Sequence, residues 1–412
     1  MSLKLLPLIA LVIVNLLLDQ WLYRYLRRSK HLPRLKSVAH GVLSVLLMVV
    51  ILVAAAIPYR DCPNVEFRRA MWLLYIYYTF YVPRYVAALA WLPTHLKRSG
   101  KRTRHAGQVV ATLLGIAVFA FMWWGALVSP YQVKVERVNM EFENLPPEFD
   151  GYRIVQFSDT HLGSYCDTTR FISTCVDTIN SLKPDMICFT GDLVNRRTVE
   201  AKLYKKDLSR LHAPDGVISI LGNHDETSYF NWSFVYQRQR DLNQLIDLQR
   251  KMGWTVLNND HIILRRDSSE VAVVGTRCYG EWPSPRKHNL DVAYPDYDSG
   301  KRFVILLQHD PRQWKLDKAY KDKEIDFRVC DKVDLMLAGH THAMQCMFNV
   351  FGYKISPAVF QTKEWGGLYS EGDHKLYVNI GIGMVGMPAR LGNATPEITL
   401  ITLHTKKKKN TP

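Results

Sequence analysis

Five short apolar runs, each stopping at a residue that can hold a proton or a metal ion, constrain this chain more than any other feature. Asp185-Met186-Ile187-Cys188-Phe189 stops at Thr190-Gly191-Asp192. Upstream, Ile154-Val155-Gln156-Phe157 stops at Ser158-Asp159-Thr160-His161. Downstream, Val217 to Leu221 stops at Gly222-Asn223-His224-Asp225, Phe303 to Gln308 stops at His309, and Asp334 to Ala338 stops at Gly339-His340-Thr341-His342. A short apolar run bounded by turn residues reads as a buried strand. Between the runs, Phe171 to Leu182 carries apolar residues at 171, 172, 175, 176, 179 and 182, a helical stripe, and Leu242 to Met252 is similar. Strands alternating with helices, with polar groups at the strand ends, read as an α/β fold with a site at the strand C-termini. Val133 to Phe142 alternates as a further strand. Ile262–Leu264, Val271–Gly275, Leu376–Ile380 and Glu397–Thr402 then call for one large mixed sheet or two packed sheets.

The five loops hold three carboxylates, one amide and five imidazoles, with no thiol among them. Hard divalent cations take oxygen and imidazole ligands. Asp159-x-His161 and His340-x-His342 each put two side chains on one side of a strand end. Such a set suits two ions about 3.5–4 Å apart that share a carboxylate and turn a water into a nucleophile aimed at phosphorus. The same ions would neutralise charge developing on phosphoryl oxygens.

At these residues the chain resembles the calcineurin-like metallophosphoesterase superfamily, whose five signature blocks appear here in family order over about 190 residues. Gln156 to Gly163 and Gly339 to Gln345 look closer to a membrane-associated bacterial branch than to the serine/threonine protein phosphatases. The resemblance implies a four-layer α/β/β/α sandwich with a dimetal site over the strand ends. It implies that Asp159, His161, Asp192 and His342 hold one ion. Asp192, Asn223, His309 and His340 would hold the other, with Asp192 bridging. It implies that His224 binds no metal but contacts the phosphate and protonates the leaving oxygen, helped by Asp225 beside it. Mn, Fe, Zn and Co all accept such ligands. Two departures stand out. Protein phosphatases carry Gly-Asp-x-x-Asp-Arg where this chain has Gly191-Asp192-Leu193-Val194-Asn195-Arg196, so Asn195 lacks the charge that a phosphoprotein substrate calls for. Arg196 reads either as a phosphate contact or as a solvated loop arginine. Ala343 replaces the usual glycine after Gly-His-Thr-His.

The net charge of +15 does not describe a nucleic-acid binder. Residues 1–130 hold 16 Lys and Arg against 3 Asp and Glu, whereas the remainder holds 37 against 35. That first third contains four apolar stretches, at about 5–23, 38–57, 71–92 and 108–128. Each approaches the roughly 20 residues that a spanning helix needs. The third is interrupted by Pro83-Arg84. The expected division is therefore a four-helix transmembrane region, 1–130, followed by a catalytic domain, 131–412. The loop Arg24 to Lys36 carries six basic residues and no acid, and Lys97 to Arg104 carries five. Basic loops stay cytoplasmic, so four spans would place the catalytic domain on the extracytoplasmic face of a bacterial plasma membrane. Trp21, Tyr23, Trp91, Trp123 and Trp124 lie near the ends of the runs, as interfacial anchors do.

Six of the seven cysteines lie after residue 131, at 166, 175, 188, 278, 330 and 346, and no Cys-x-x-Cys occurs. Nothing in that pattern demands a disulfide or a thiolate zinc site. Glu364 to Tyr369 reads as an aromatic turn or a substrate wall. Gly381-Ile382-Gly383-Met384-Val385-Gly386 lacks the lysine of a phosphate loop. His212, His261, His288, His374 and His404 stand alone, and Lys406 to Lys409 read as a solvated tail. The expectation is a dimetal phosphohydrolase acting on a diester, monoester or pyrophosphate, carried by a small molecule or a lipid of the envelope. Two alternatives are a nucleotide-lipid pyrophosphohydrolase at the cytoplasmic face and a catalytically silent scaffold. Oligomeric state is left open.

Overall fold

The computed structural model describes residues 5–28, 33–96, 100–165, 168–226, 228–278, 290–295, 302–315 and 329–406. Cys166, His288 and Lys407 to Lys409 lie outside them. The chain divides into two compact units, Met1–Trp124 with Gly386–Pro388, and Gly125–Val385 with Ala389–Pro412.

The first unit is built on four helices: α1 (Leu5–Arg27), α2 (Pro33–Ala56), α3 (Asn64–Leu96) and α4 (Lys101–Leu127). Three stretches, Ile9–Arg27, Pro33–Ala56 and Lys101–Tyr131, are long and apolar enough to cross a membrane. The third run of the sequence falls in α3, which stays helical through Pro83 and Pro93 but is not one of these three. Its composition explains why: Tyr75, Tyr77, Tyr78, Tyr81, Arg84 and Tyr85 all lie on it. Two of these residues, Tyr81 and Arg84, meet Asp19 of α1. The Arg84 guanidinium donates to Asp19 Oδ1 at 3.0 Å, and the Tyr81 hydroxyl donates to Asp19 Oδ2 at 2.7 Å. The Tyr75 hydroxyl donates to the Met122 carbonyl at 2.6 Å. Asp19 and Arg84 are thus each other's partners. Val45, Leu52 and Ile116 are exposed, the arrangement of a bundle that turns apolar side chains outward to lipid.

The second unit is a mixed α/β fold with two six-stranded sheets. The first runs in the order β1 (Lys134–Phe142), β15 (Glu397–Thr405), β2 (Arg153–Phe157), β3 (Met186–Phe189), β4 (Val217–Ser219), β5 (Trp254–Val256). Strands β2 to β5 are parallel, and β15 runs antiparallel to β2 but parallel to β1. The second sheet has the order β12 (Gly367–Glu371), β13 (His374–Val378), β9 (Leu335–Ala338), β8 (Phe303–Leu307), β7 (Ser269–Gly275), β6 (Asp260–Arg266). Its four central strands are parallel and its two edges antiparallel. A three-stranded sheet adds β10 (Cys346–Val350) between β11 (Tyr353–Ile355) and β14 (Leu391–Gly392).

Alternation sorts the side chains. Met186 and Cys188 of β3 meet Ile305 and Leu307 of β8 and Leu335 and Leu337 of β9 in one buried cluster shared by the two large sheets. Ile187 and Phe189 point the other way. They pack with the apolar stripe of α5 (Arg170–Ser181), with Leu208 of α6 (Lys205–Leu208) and with Leu245 of α7 (Val235–Lys251). The other face of the second sheet packs Val304 and Met336 against Leu290 and Ala293 of α8 (Leu290–Ala293), with Trp314 and Cys330. Helix α7 starts seven residues before its apolar stripe, because Val235 to Asp241 has an exposed first turn that carries little periodic signal. Strand β15 lies in the first sheet, between β1 and β2. Parallel strands buried on both faces read as continuous apolar runs, which is why β2, β3, β8 and β9 were plain in the sequence. The five site loops leave the C-terminal ends of β2, β3, β4, β8 and β9.

Candidate metal centre

Three of the five strands, β2, β3 and β9, end where the backbone turns sharply. Asp159, His161, Asp192, His340 and His342 have φ of 53°, 44°, 61°, 74° and 51°. Left-handed conformations at residues that carry a side chain cost roughly 1–3 kcal/mol each and persist only where the surroundings enforce them. Five of the seven candidate metal ligands are held this way. Close packing enforces it: a Cβ on Gly222 would collide with Asp192 Oδ1.

The turns bring the predicted residues together in two clusters. In one, His342 Nε2 lies 3.3 Å from Asp159 Oδ1 and 3.0 Å from His161 Nε2, and His161 Nε2 lies 3.5 Å from Asp192 Oδ2. In the other, His309 Nε2 lies 3.2 Å from the same Asp192 oxygen and 3.1 Å from Asn223 Oδ1, and His340 Nδ1 lies 2.8 Å from Asn223 Oδ1. Asp159, His161 and His342 converge to within 4.8 Å, as do Asp192, His309 and His340. Asp192 Oδ2 faces both clusters. Its Oδ1 is engaged elsewhere, accepting the His224 backbone N–H at 2.8 Å.

Hydrogen bonds outside the clusters orient these groups. His309 Nδ1 lies 2.7 Å from the Thr190 carbonyl, which places the proton on Nδ1 and leaves Nε2 for a cation. Asn223 Nδ2 donates to the Tyr229 hydroxyl at 2.8 Å, so its oxygen turns to the second cluster. Burial alone would raise the Asp192 carboxyl, but the charges of His309 and His224 hold it well below the usual carboxylate range. Asp159 is likewise raised by burial and lowered further by His342, for a net shift below its usual range. Burial pushes His161 well below the usual imidazole value, with His224 adding to it. Burial lowers His309, but Asp192, Asp159 and the Thr190 carbonyl together raise it, to about 10. Two ionised carboxylates buried among imidazole nitrogens, with nitrogen facing nitrogen at 3.0 Å, form a donor set with an excess of lone pairs. Divalent cations fit that set.

His224 stands beside the clusters. A ring nitrogen lies within 4.8 Å of ligand atoms of His161 and Asp192. Nδ1 lies 2.7 Å from the Asn195 carbonyl, and the Tyr229 ring stacks on the imidazole with centroids 3.9 Å apart. The expected help from Asp225 takes another form. Its carboxylate accepts backbone N–H groups from Asp192, Leu193, Val194 and Gly222 at 2.8–3.1 Å. Asp225 therefore ties the two loops together, and the group on the His224 ring is the Asn195 carbonyl. Arg196 is also not a solvated loop arginine. It is 2 % exposed and lies 3.8 Å from Glu200.

Several contributors escaped the sequence reading. Asn379 accepts from Ser158 Oγ at 3.1 Å and from the Gly381 N–H at 2.8 Å. The glycine stretch lacking a phosphate-loop lysine packs directly behind the site: a Cβ on Gly383 would strike the Thr160 carbonyl. Arg390 is fully buried, donates to the carbonyls of Ile380, Gly383 and Ala394, and brings Nη2 to 3.4 Å from His342 Nδ1. These residues stand outside the strand-end loops, and no local pattern marks them. The Glu364–Tyr369 turn is structural, with the Trp365 carbonyl accepting from Thr341 Oγ1 at 2.5 Å. His261 and His374 bond backbone carbonyls, His404 lies 3.4 Å from Asp150, and His212 is exposed.

Residues 152–344 match the calcineurin-like phosphoesterase family. The chain is 32 % identical over 285 residues to the uncharacterized metallophosphoesterase YkuE of Bacillus subtilis, covering 67 % of this chain and 87 % of that one. It is 27 % identical over 328 residues to a transmembrane protein with metallophosphoesterase domain of Danio rerio, covering 75 % and 68 %. A shorter segment of 124 residues, 29 % of this chain, is 40 % identical to the UDP-2,3-diacylglucosamine pyrophosphatase LpxG of Chlamydia trachomatis and spans 36 % of it. With its apolar N-terminal helices and its converging carboxylates and imidazoles, the chain belongs to the calcineurin-like phosphoesterases, as a membrane-associated hydrolase of phosphate esters.

Proposed function

We propose that the chain is a dimetal phosphohydrolase that cleaves a phosphate ester or pyrophosphate linked to a lipid. Asp159, His161, Asp192 and His342 hold one cation, and Asp192, Asn223, His309 and His340 hold the second. The observation that carries this reading is the single Asp192 oxygen lying 3.5 Å from His161 and 3.2 Å from His309. Bound ions of the Mn, Fe, Zn or Co type supply Lewis-acid charge and a water acidified to near-neutral pKa. His224, stacked on Tyr229 and fixed through Asn195, meets the phosphate and gives a proton to the leaving oxygen. The neutral Asn195 in place of an acid disfavours a phosphoprotein and leaves the site to smaller esters.

The proposed division is a membrane region, 1–130, and a catalytic domain, 131–412, with the two large sheets and their helices forming a four-layer α/β/β/α sandwich. Four spans, counting α3, keep both basic loops cytoplasmic and put the catalytic domain outside. A second reading has an observation of its own. Among the described residues three helices reach spanning apolarity, and three spans place the domain in the cytoplasm, where a nucleotide-linked lipid pyrophosphate is the natural substrate. The segment similar to the diacylglucosamine pyrophosphatase favours that chemistry. Alkaline phosphatase and green fluorescent protein fusions after Val128 separate the two readings, since only an exported fusion is active as a phosphatase. Activity is tested on the full chain in detergent after chelation and return of Mn²⁺, Zn²⁺ or Fe²⁺, with a lipid pyrophosphate and an aryl diester side by side. Turnover that ignores both the metal and Asp192→Ala would overturn the proposal.

A further inference from the structure

The segment that follows His342 is exposed and apolar to an unusual degree. Strands β10 and β11 form an antiparallel hairpin in which Val350 pairs with Tyr353 across a two-residue turn, Phe351-Gly352. Phe351 is 98 % exposed, and Phe360, on the adjoining turn Pro357–Phe360, is 91 % exposed. Tyr353, Ile355 and Val359 are exposed beside them. Contiguous exposed apolar surface of this kind marks an interaction site. The turn strengthens the point. Phe351 has φ of 51° and Gly352 of 87°, a primed turn in which asparagine or aspartate is the favoured first residue. A bulky aromatic at positive φ is an outlier, retained here at an exposed tip.

Charge identifies the occupant. From Met344 to Lys363 the chain contains no Asp or Glu, in a domain where acids and bases nearly balance. Its two cations, Lys354 and Lys363, are exposed. Apolar tips flanked by lysines suit an anionic bilayer surface, where rings enter the acyl boundary and ammonium groups stay at the phosphates. The chain's own apolar helices supply the bilayer. The hairpin is also rigidly joined to the metal centre: the buried Ser356 hydroxyl donates to the Ala343 carbonyl at 2.7 Å, one residue from His342. Ala343, Met347, Ala358 and Trp365 share a small core.

We propose that the 346–360 hairpin and turn insert into the membrane surface and hold the catalytic site against lipid headgroups. The substrate half of this inference rests on the lipid-linked reading above, whereas insertion does not.

The test uses the full chain in phosphatidylethanolamine–phosphatidylglycerol vesicles. An environment-sensitive fluorophore on Phe351→Cys is compared with the same label on Ser268→Cys, in the exposed turn between β6 and β7, with labelled wild-type protein as the background. Insertion predicts blue-shifted emission at position 351, quenched by lipids brominated on their acyl chains, while the label at 268 is quenched by aqueous iodide. Iodide quenching at 351 would overturn the proposal. So would protection from both quenchers, which would mean that a second copy or another protein covers the hairpin. The double variant Phe351→Ser/Phe360→Ser should keep its turnover of a soluble aryl phosphate and lose about tenfold on a lipid pyrophosphate in vesicles. Lipid quenching at 351 with unchanged turnover of that lipid by the double variant would leave insertion standing and overturn the claim that the hairpin holds the site against lipid headgroups, whereas no turnover of the lipid by the unaltered chain would overturn the lipid-linked substrate.

Discussion

Asp192 concentrates the demands on this site in one side chain. One oxygen is fixed by a backbone N–H and the other is shared by two clusters, in a residue whose φ is 61°. Asp192→Ala should therefore abolish turnover and lower bound metal below two per chain, read by elemental analysis of the purified protein. His224→Asn should separate chemistry from binding: kcat should fall roughly 10²–10⁴-fold with metal content unchanged, because both clusters remain. Asp225 makes a different prediction. Its carboxylate accepts four N–H groups, so Asp225→Asn turns a donor toward donors. A buried mismatch of that type costs about 1–3 kcal/mol, visible as a lower Tm in detergent together with lost activity. The seven candidate ligands and His224 were legible as candidates because each follows an apolar run. The real task of Asp225 was not, since four backbone groups from two loops meet only in the folded chain.

Among the elements, α3 differs most from its appearance in the sequence. Pro83-Arg84 interrupts its apolar run in the sequence. Tyr81 and Arg84 instead hold the Asp19 carboxylate. Removing one member of a buried ion pair leaves the other uncompensated, at a cost of about 3–5 kcal/mol. Arg84→Ala should lower the thermal midpoint of the helical unit, and Arg84→Ala/Asp19→Asn should recover much of the loss, because no charge is then stranded. Strand β15 gives the opposite lesson. Its existence is plain in the alternation of Glu397 to Thr402, but its place between β1 and β2 depends on pairings across about 240 residues that no local pattern records.

At the scale of the molecule, buried carboxylates and imidazoles that converge without cations pay for their own repulsion and desolvation. Binding of ions to the folded chain alone then stabilises it by mass action. Chelation should lower Tm, and each returned metal should raise it in a concentration-dependent way, followed by differential scanning fluorimetry in detergent. A Tm indifferent to chelator would contradict the two clusters as ion sites. The sequence by itself determined the strand-end loops, the ligand residue types and the apolar helices, because burial period and turn chemistry are local. Only the tertiary structure decided which glycines and which arginine back the site, where Asp225 and Arg196 are spent, and that an aromatic hairpin stands uncovered beside His342. Those facts are set by distances between residues far apart in the chain, which sequence order leaves unspecified.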